Sequence, residues 1–266
     1  MDILTINSKA ALLEHKFNIE ILFLECFGDR LSLDLWNWAY IDNPNGEPLV
    51  SLCYDGERLV GHYAMVPLPV SGEMGTYNSY LSMTTMVAAT HRQHGLFVKL
   101  AGVTNERAIV QDIDFVMGFP NPMSTPGFRK KLGWDLPPTD YVVKVEKSQL
   151  LNPAVAERLA PRGRYALDLT DETLCAWRLA KPGMRYIRRD GIVYKEFEGG
   201  VDLIYFASPE ALDELPDGCS INLLVPHDFG MFEEQKVFEY QFGGLSLKRQ
   251  FIPDQIDRQM CLSDVF

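Results

Sequence analysis

The feature that most constrains this chain is a change of hydrophobic period across residues 87–97. Upstream, YNSYLSMTTMVA (77–88) reads as a strand. Downstream, Phe97, Leu100, Ala101, Thr104 and Ala108 recur at the spacing of one helix face. Between them stands Thr90-His91-Arg92-Gln93-His94-Gly95. After such a strand–loop–helix junction, DFVMGFP (114–120) supplies a further strand, so the two strands flank a crossover helix.

The preceding elements follow from local chemistry. FNIEILFLECFG (17–28) is a helix closed by Gly28, and Ser32 caps a second helix, LDLWNWAY, with Asp34 facing its dipole. Asn43-Pro44-Asn45-Gly46 stops that helix. PLVSLCY and RLVGHYAMVP flank an Asp55–Gly56 turn and predict a hairpin, and a further turn is expected at Ser71–Gly75. Beyond DFVMGFP come a Pro-, Ser- and Gly-rich loop, a short basic helix around Arg129–Lys131, and Leu132-Gly133-Trp134. The order ααβββαβα predicts an α/β (α+β) fold with a mixed central sheet.

At 266 residues the chain has room for one large domain or two lobes, taking ~150 residues per domain. Asn-Pro, Ala-Pro and Arg-Gly between 147 and 165 read as a linker. This divides the chain into a first domain, 1–148, and a second, smaller α/β lobe, 165–266. In that lobe TDETLCAWRLA reads as a helix, and MRYIRR, Asp190–Gly191 and IVYKEF read as a hairpin. The unit echoes WNWAYIDNPNG…CYDGERLVG in the first half, either as a degenerate repeat or because helix–hairpin units are common.

Charge and cysteine usage exclude several classes. With 25 Lys+Arg against 36 Asp+Glu the net charge is −11, which argues against a nucleic-acid partner. Five scattered cysteines without CxxC spacing fit a reduced compartment. No signal peptide and no run of about 18 apolar residues is present, so no membrane partner and a cytoplasmic location are expected. His91 and His94 lack a third ligand at a convincing spacing, so no metal is expected.

The junction itself has a chemistry. Consecutive backbone N–H groups turning into a helix N-terminus form an anion cradle, to which the helix adds about half a positive charge. Diphosphate is the natural guest, and His91, Arg92, His94 and Lys99 add local positive charge. The plainer reading is a solvated basic helix start.

Arg92-Gln93-His94-Gly95-Leu96-Phe97 resembles the acyl-CoA-binding motif of the GNAT superfamily of acetyltransferases, Gln/Arg-x-x-Gly-x-Gly/Ala, with Phe97 in place of the final small residue. The resemblance runs from residue 17 to Trp134, with ERLVGHYAMVP, MTTMV, GFPN and KKLGW in the family order. It implies a GNAT-type sheet and acetyl-CoA as co-substrate, with direct transfer to a primary amine on a small molecule. It also implies that the backbone of Met86 and Val87 meets the pantetheine arm and thioester carbonyl. Arg92, Gln93, His94, Gly95, Leu96 and Phe97 would cradle the diphosphate, and Asn121 would face the cofactor. Between Pro120 and Pro122, Asn121 also fits simple turn chemistry. Arg129, Lys130 and Lys131 either reach the ribose phosphate or form a solvated face.

The proton chemistry is less legible. Arg129 occupies the place of the family's acidic tyrosine, and YLSMTTMV contains no carboxylate base. An alkylammonium of pKa ~10.4 costs about 4.6 kcal/mol to deprotonate at pH 7, so assistance is needed. Candidates are His62, Tyr80 and the terminal carboxylate of Phe266, the last because two-lobed relatives thread the chain end into the site. A lone strand histidine is more often packed or at the surface, Tyr80 also reads as packing, and LSDVF also reads as an edge strand. Trp36, Trp38 and Tyr40 on the second helix would wall a compact acceptor pocket for an amino sugar or similar metabolite, unless they are core. Alternatives are a non-catalytic acyl-CoA-binding module and a tandem-GNAT aminoacyl or peptidyl transferase. The oligomeric state is open, a homodimer included.

Overall fold

The computed structural model describes residues 1–160, 163–264 and 266. The chain starts with β1 (Asp2–Ile6), α1 (Lys9–Glu14) and α2 (Lys16–Phe27). Gly28 ends α2 at φ +76, its N–H bonded to Leu24 O, as the glycine predicted. Ser32 Oγ then accepts from Leu35 N to start α3 (Leu33–Trp36), which continues as a wider π-helical turn to Ile41. β2 (Leu49–Asp55) and β3 (Arg58–Pro67) form the expected hairpin, with Gly56 at φ +61. The turn predicted at Ser71–Gly75 carries its own small hairpin, β4 (Val70–Gly72) and β5 (Gly75–Tyr77). β6 (Ser79–Val87), α4 (Leu96–Val110), β7 (Phe115–Gly118) and α5 (Thr125–Lys131) complete the first half.

The second half contains β8 (Asp140–Glu146), α6 (Lys147–Leu150), α7 (Pro153–Leu159) and α8 (Glu172–Leu179). Then follow β9 (Tyr186–Arg189), β10 (Ile192–Phe197), β11 (Gly200–Phe206), β12 (Ser220–Val225), β13 (Lys236–Tyr240) and β14 (Gly243–Ser246). The main sheets have the orders β1-β2-β3-β6-β7-β14 and β13-β8-β12-β11-β10-β9. Both are mixed, as predicted for the first: β6/β7 and β11/β12 are parallel and every other pair is antiparallel.

The division between lobes differs from the expected one. β8, assigned from sequence to the first domain, pairs with β12 and β13 in the second sheet. The segment read as a linker folds as α6 and α7, whose Leu150, Val155 and Leu159 enter the second core. Pro161 and Arg162 of that segment lie outside the described residues. In return β14, from the second half, pairs with β7 and closes the first sheet. Period-2 patterning makes a strand but does not say which sheet edge it will join.

The order of pairings repeats. β2/β3, β3/β6, β6/β7 and β7/β14 run antiparallel, antiparallel, parallel, antiparallel, and so do β9/β10, β10/β11, β11/β12 and β12/β8. The crossover in the second unit holds only a 3-10 turn, Pro209–Glu214, where the first has the fifteen-residue α4. The main hydrophobic core runs through both lobes, from Leu12 and Tyr63 to Trp177, Ile204 and Phe266.

Candidate active site

β3 stays paired with β6 as far as Val87, but β6 pairs with β7 only over Ser79–Leu81. Beyond Leu81 the two parallel strands part, leaving a cleft of about 280 Å³. Ser82–Thr85 form one wall and Gly118–Asn121 the other, with Phe27, Phe128, Trp134 and Asp264 around them. A Cβ at Gly118 would sit 3.2 Å from Ser82 O and 3.3 Å from the Trp134 ring, so glycine keeps the approach clear.

A bulge bends the β6 wall. The β3/β6 register shifts between His62 and Ala64, opposite Thr84, which sits at φ +50. A β-branched residue at positive φ is a true outlier, a strain of order 1–3 kcal/mol that collects at functional sites. The Thr84 carbonyl lies 2.7 Å from His62 Nδ1, which assigns the proton to Nδ1. His62 is fully buried, its Nε2 has no partner among the described residues, and burial lowers its pKa to about 4. It is a neutral prop behind the bulge and does not line the cleft.

At the far end of β6 the strand turns through Ala89–His94 into Gly95 at φ +66, where α4 begins. No side chain among the described residues caps the first turn of α4. Arg92, Gln93, His94 and Lys99 are exposed there. His91 is tied by Nδ1 to Thr90 Oγ1 and by Nε2 to Asp55, and Gln93 Nε2 donates to Thr90 O. Met86 and Leu96 are buried, so only their backbones face outward chemistry. Val87 is half-buried. Phe97 packs at 5.3 Å on Phe128, over Gly127, whose added Cβ would lie 3.1 Å from the Phe97 ring. The large residue that departs from the motif therefore holds α4 against α5.

Residues 21–136 match the model of the acetyltransferase (GNAT) domain. This stretch of the chain is a GNAT domain. Whole-chain similarity extends further: a GCN5-related N-acetyltransferase from Kribbella flavida superposes at TM-score 0.65 and 13% identity, over 93% of this chain and 71% of that one. Another from Anabaena variabilis gives 0.60 and 12%, over 92% and 73%. A tandem GNAT protein from the clavulanic acid biosynthesis pathway gives 0.52 and 9%, over 94% and 100%. At these identities the likeness shows the fold. No curated protein matches the sequence.

Within the GNAT domain the remaining expected residues scatter. Asn121 lies at the rim of the cleft, but its Oδ1 accepts from Ser124 N at 2.9 Å, so turn chemistry accounts for that oxygen. Tyr80 sits at the closed end of β6 with its hydroxyl donated to Glu47 O at 3.2 Å, outside the cleft. Trp36, Trp38 and Tyr40 are 2%, 4% and 2% exposed, so these aromatic side chains are core; of the three, Trp38 borders a pocket beside Trp177, which lies away from the cleft. Burial won there because the side carrying Trp36, Trp38 and Tyr40 meets protein, while Leu33 and Asp34 stay exposed.

The chain end comes to the GNAT cleft. Phe266 O accepts from Arg178 Nη2 at 3.0 Å, Tyr186 Oη at 2.9 Å and Lys181 Nζ at 3.3 Å, and the Phe266 ring lies on Phe238 and Tyr240. Arg178 Nη2 also donates to Ser263 O, and Lys181 Nζ to Asp264 O. This strapping fixes Asp264, a residue sequence reading missed, in the cleft wall. Burial raises its carboxyl above the usual range against the pull of Lys181 and Arg178, while burial and Arg178 lower Lys181 to about 8. A single acid near an apolar chain end carries no pattern that would reveal this.

Proposed function

We propose that this GNAT domain is an N-acyltransferase that moves an acetyl group from acetyl-CoA directly to the primary amine of a small molecule. The observation that carries the reading is the cleft between the splayed strands, bounded by the Thr84 bulge, on the same strand that runs on to the uncapped start of α4. The residues present suit acyl-CoA. The α4 amides and exposed Arg92, His94 and Lys99 offer a local anion site on a chain of net charge −11. Trp134, in the cleft wall, has an indole N–H buried without an acceptor among the described residues.

Bound acetyl-CoA supplies an activated thioester carbonyl. The chain's own part is positioning and proton transfer. Backbone groups at the bulge orient and polarise the carbonyl, and the cleft walls align the amine against it. Asp264 accepts the ammonium proton, since a carboxyl whose pKa is raised by burial is a better base than an ordinary one. Phe266 O, held by Arg178, Lys181 and Tyr186, serves as an anchor for this segment. His62 is too deep to reach an amine, and Tyr80 too far.

No helix among the described residues is long and apolar enough to cross a membrane, and no cluster of metal-ligating side chains occurs among them. A transferase acting on charged tRNA fits poorly with the acidic surface. Thermal shift with acetyl-CoA, followed by thiol release with a panel of amines, tests the reading. Stabilisation with turnover on at least one amine is expected. Stabilisation without turnover on any amine would indicate a binding module instead.

A further inference from the structure

A cavity of about 700 Å³ lies beside the cleft, between the loop after β7 and the strand β13. It shares Phe119, Pro120 and Asn121 with the cleft, so a molecule seated in one can reach into the other. Its walls are rigid and apolar, with five prolines, Phe238, and Phe119 stacked on Tyr240 at 4.8 Å.

Most of its polar side chains are already engaged with the protein, the exposed Glu239 carboxylate being the exception. Thr125 Oγ1 donates to Pro120 O and Asn121 O, and Arg129 Nη2 to Leu136 O. Thr139 Oγ1 donates to Gln241 Oε1, while Gln241 Nε2 donates to Pro137 O and Phe242 O. The Tyr240 hydroxyl pairs with Ser263 Oγ, and Asn121 Oδ1 holds Ser124 N. A ligand rich in hydroxyls would give up water here and find few partners in return, whereas a flat apolar body loses nothing.

We propose that this cavity is the acceptor site and that it selects a primary amine borne on an apolar, aromatic body, an arylalkylamine, over an amino sugar. The inference rests on the acyl-transfer reading above. The body stacks among Phe119, Phe238 and the prolines, and the amine extends past Asn121 into the cleft. In the transfer Asp264 first takes one proton from the ammonium, the neutral nitrogen then bonds to the acyl carbon, the carbon–sulfur bond breaks, and the second proton lost by the nitrogen passes to the departing thiolate to give the free thiol.

The test compares phenethylamine with glucosamine, using acetyl-CoA and thiol release. Each hydroxyl left unpaired costs about tenfold, so kcat/KM for phenethylamine should exceed that for glucosamine by at least 100-fold. Thr139→Trp, which fills the cavity, should raise KM for phenethylamine at least tenfold without changing the thermal shift with acetyl-CoA, and Phe238→Ala should raise it to a lesser degree. Equal or better use of glucosamine, or indifference to both substitutions, overturns the proposal. Should neither amine turn over, calorimetric titration of the unliganded protein decides: phenethylamine binding abolished by Thr139→Trp supports the cavity, and absent binding overturns it. Absence of an acetyl-CoA shift would instead remove the acyl-transfer reading, while the titration still reports on the cavity.

Discussion

Trp38 and Trp177 stack across the lobes with ring centroids 5.2 Å apart and planes 11° from parallel, and each indole N–H donates to the other's backbone carbonyl at 2.8 Å. The exchange is two-fold in form: each residue gives the other what it receives, as in an isologous interface. Trp38 follows α3 in the first unit and Trp177 lies in α8 of the second, the two helices that precede the corresponding hairpins. The contact therefore ties the helix before one hairpin to the helix before the other.

Because both partners are buried, losing one is costly. Trp177→Ala should destabilise the protein by about 3–5 kcal/mol in urea unfolding. Trp177→Phe keeps a ring but leaves the Trp38 carbonyl unpaired, at about 1–3 kcal/mol. A double-mutant cycle with Trp38→Phe should show coupling of at least ~0.5 kcal/mol, and additive losses would contradict the exchange.

His62 makes stability depend on pH in a defined window. Its folded pKa, about 4, lies below the unfolded value of 6.5, so below pH 6.5 the unfolded chain binds the extra proton. The contribution is complete above pH 6.5, is lost progressively as pH falls to 4, and is constant below that. The loss is on the order of 3 kcal/mol. His62→Gln should remove this component of the stability–pH curve.

Two glycines of one segment should respond in opposite directions. A Cβ meets nothing within 4 Å at either Gly95 or Gly102, but Gly95 lies at φ +66 and Gly102 inside α4. Gly95→Ala should cost about 1–2 kcal/mol and weaken acetyl-CoA binding, while Gly102→Ala should stabilise by about 0.5–1 kcal/mol. Melting temperatures with and without acetyl-CoA check both.

Asp264→Asn should lower kcat by about 10²–10⁴ while leaving the acetyl-CoA shift in place. In the native enzyme kcat/KM should fall as pH drops through the raised Asp264 pKa. Lys181 favours the Asp264 anion, so Lys181→Met should move that limb to higher pH. A limb unmoved by Lys181→Met and retained in Asp264→Asn would assign the proton to another group.

Phe97→Ala restores the small residue of the family motif but removes the contact with Phe128. Since the ring is half-buried, the expected cost is about 1–3 kcal/mol, below the range for a fully buried phenylalanine. Affinity for acetyl-CoA should hold or improve, as measured by titration.

What the sequence determined by itself is what neighbouring residues decide. Gly28, Ser32 and Gly56 act through their own φ angles or side-chain oxygens within a few residues, and the period change after Val87 placed α4, so these elements and the GNAT junction were legible. The partners of β8 and β14, the burial of Trp38 and His62, and the seat of Asp264 were decided by tertiary structure. A strand joins whichever edge completes a buried sheet, an aromatic helix packs where a second lobe covers it, and a tail acid acquires its chemistry from Arg178 and Lys181, more than eighty residues earlier in the chain. Such choices depend on which surfaces meet, and residue spacing along a chain carries no record of that.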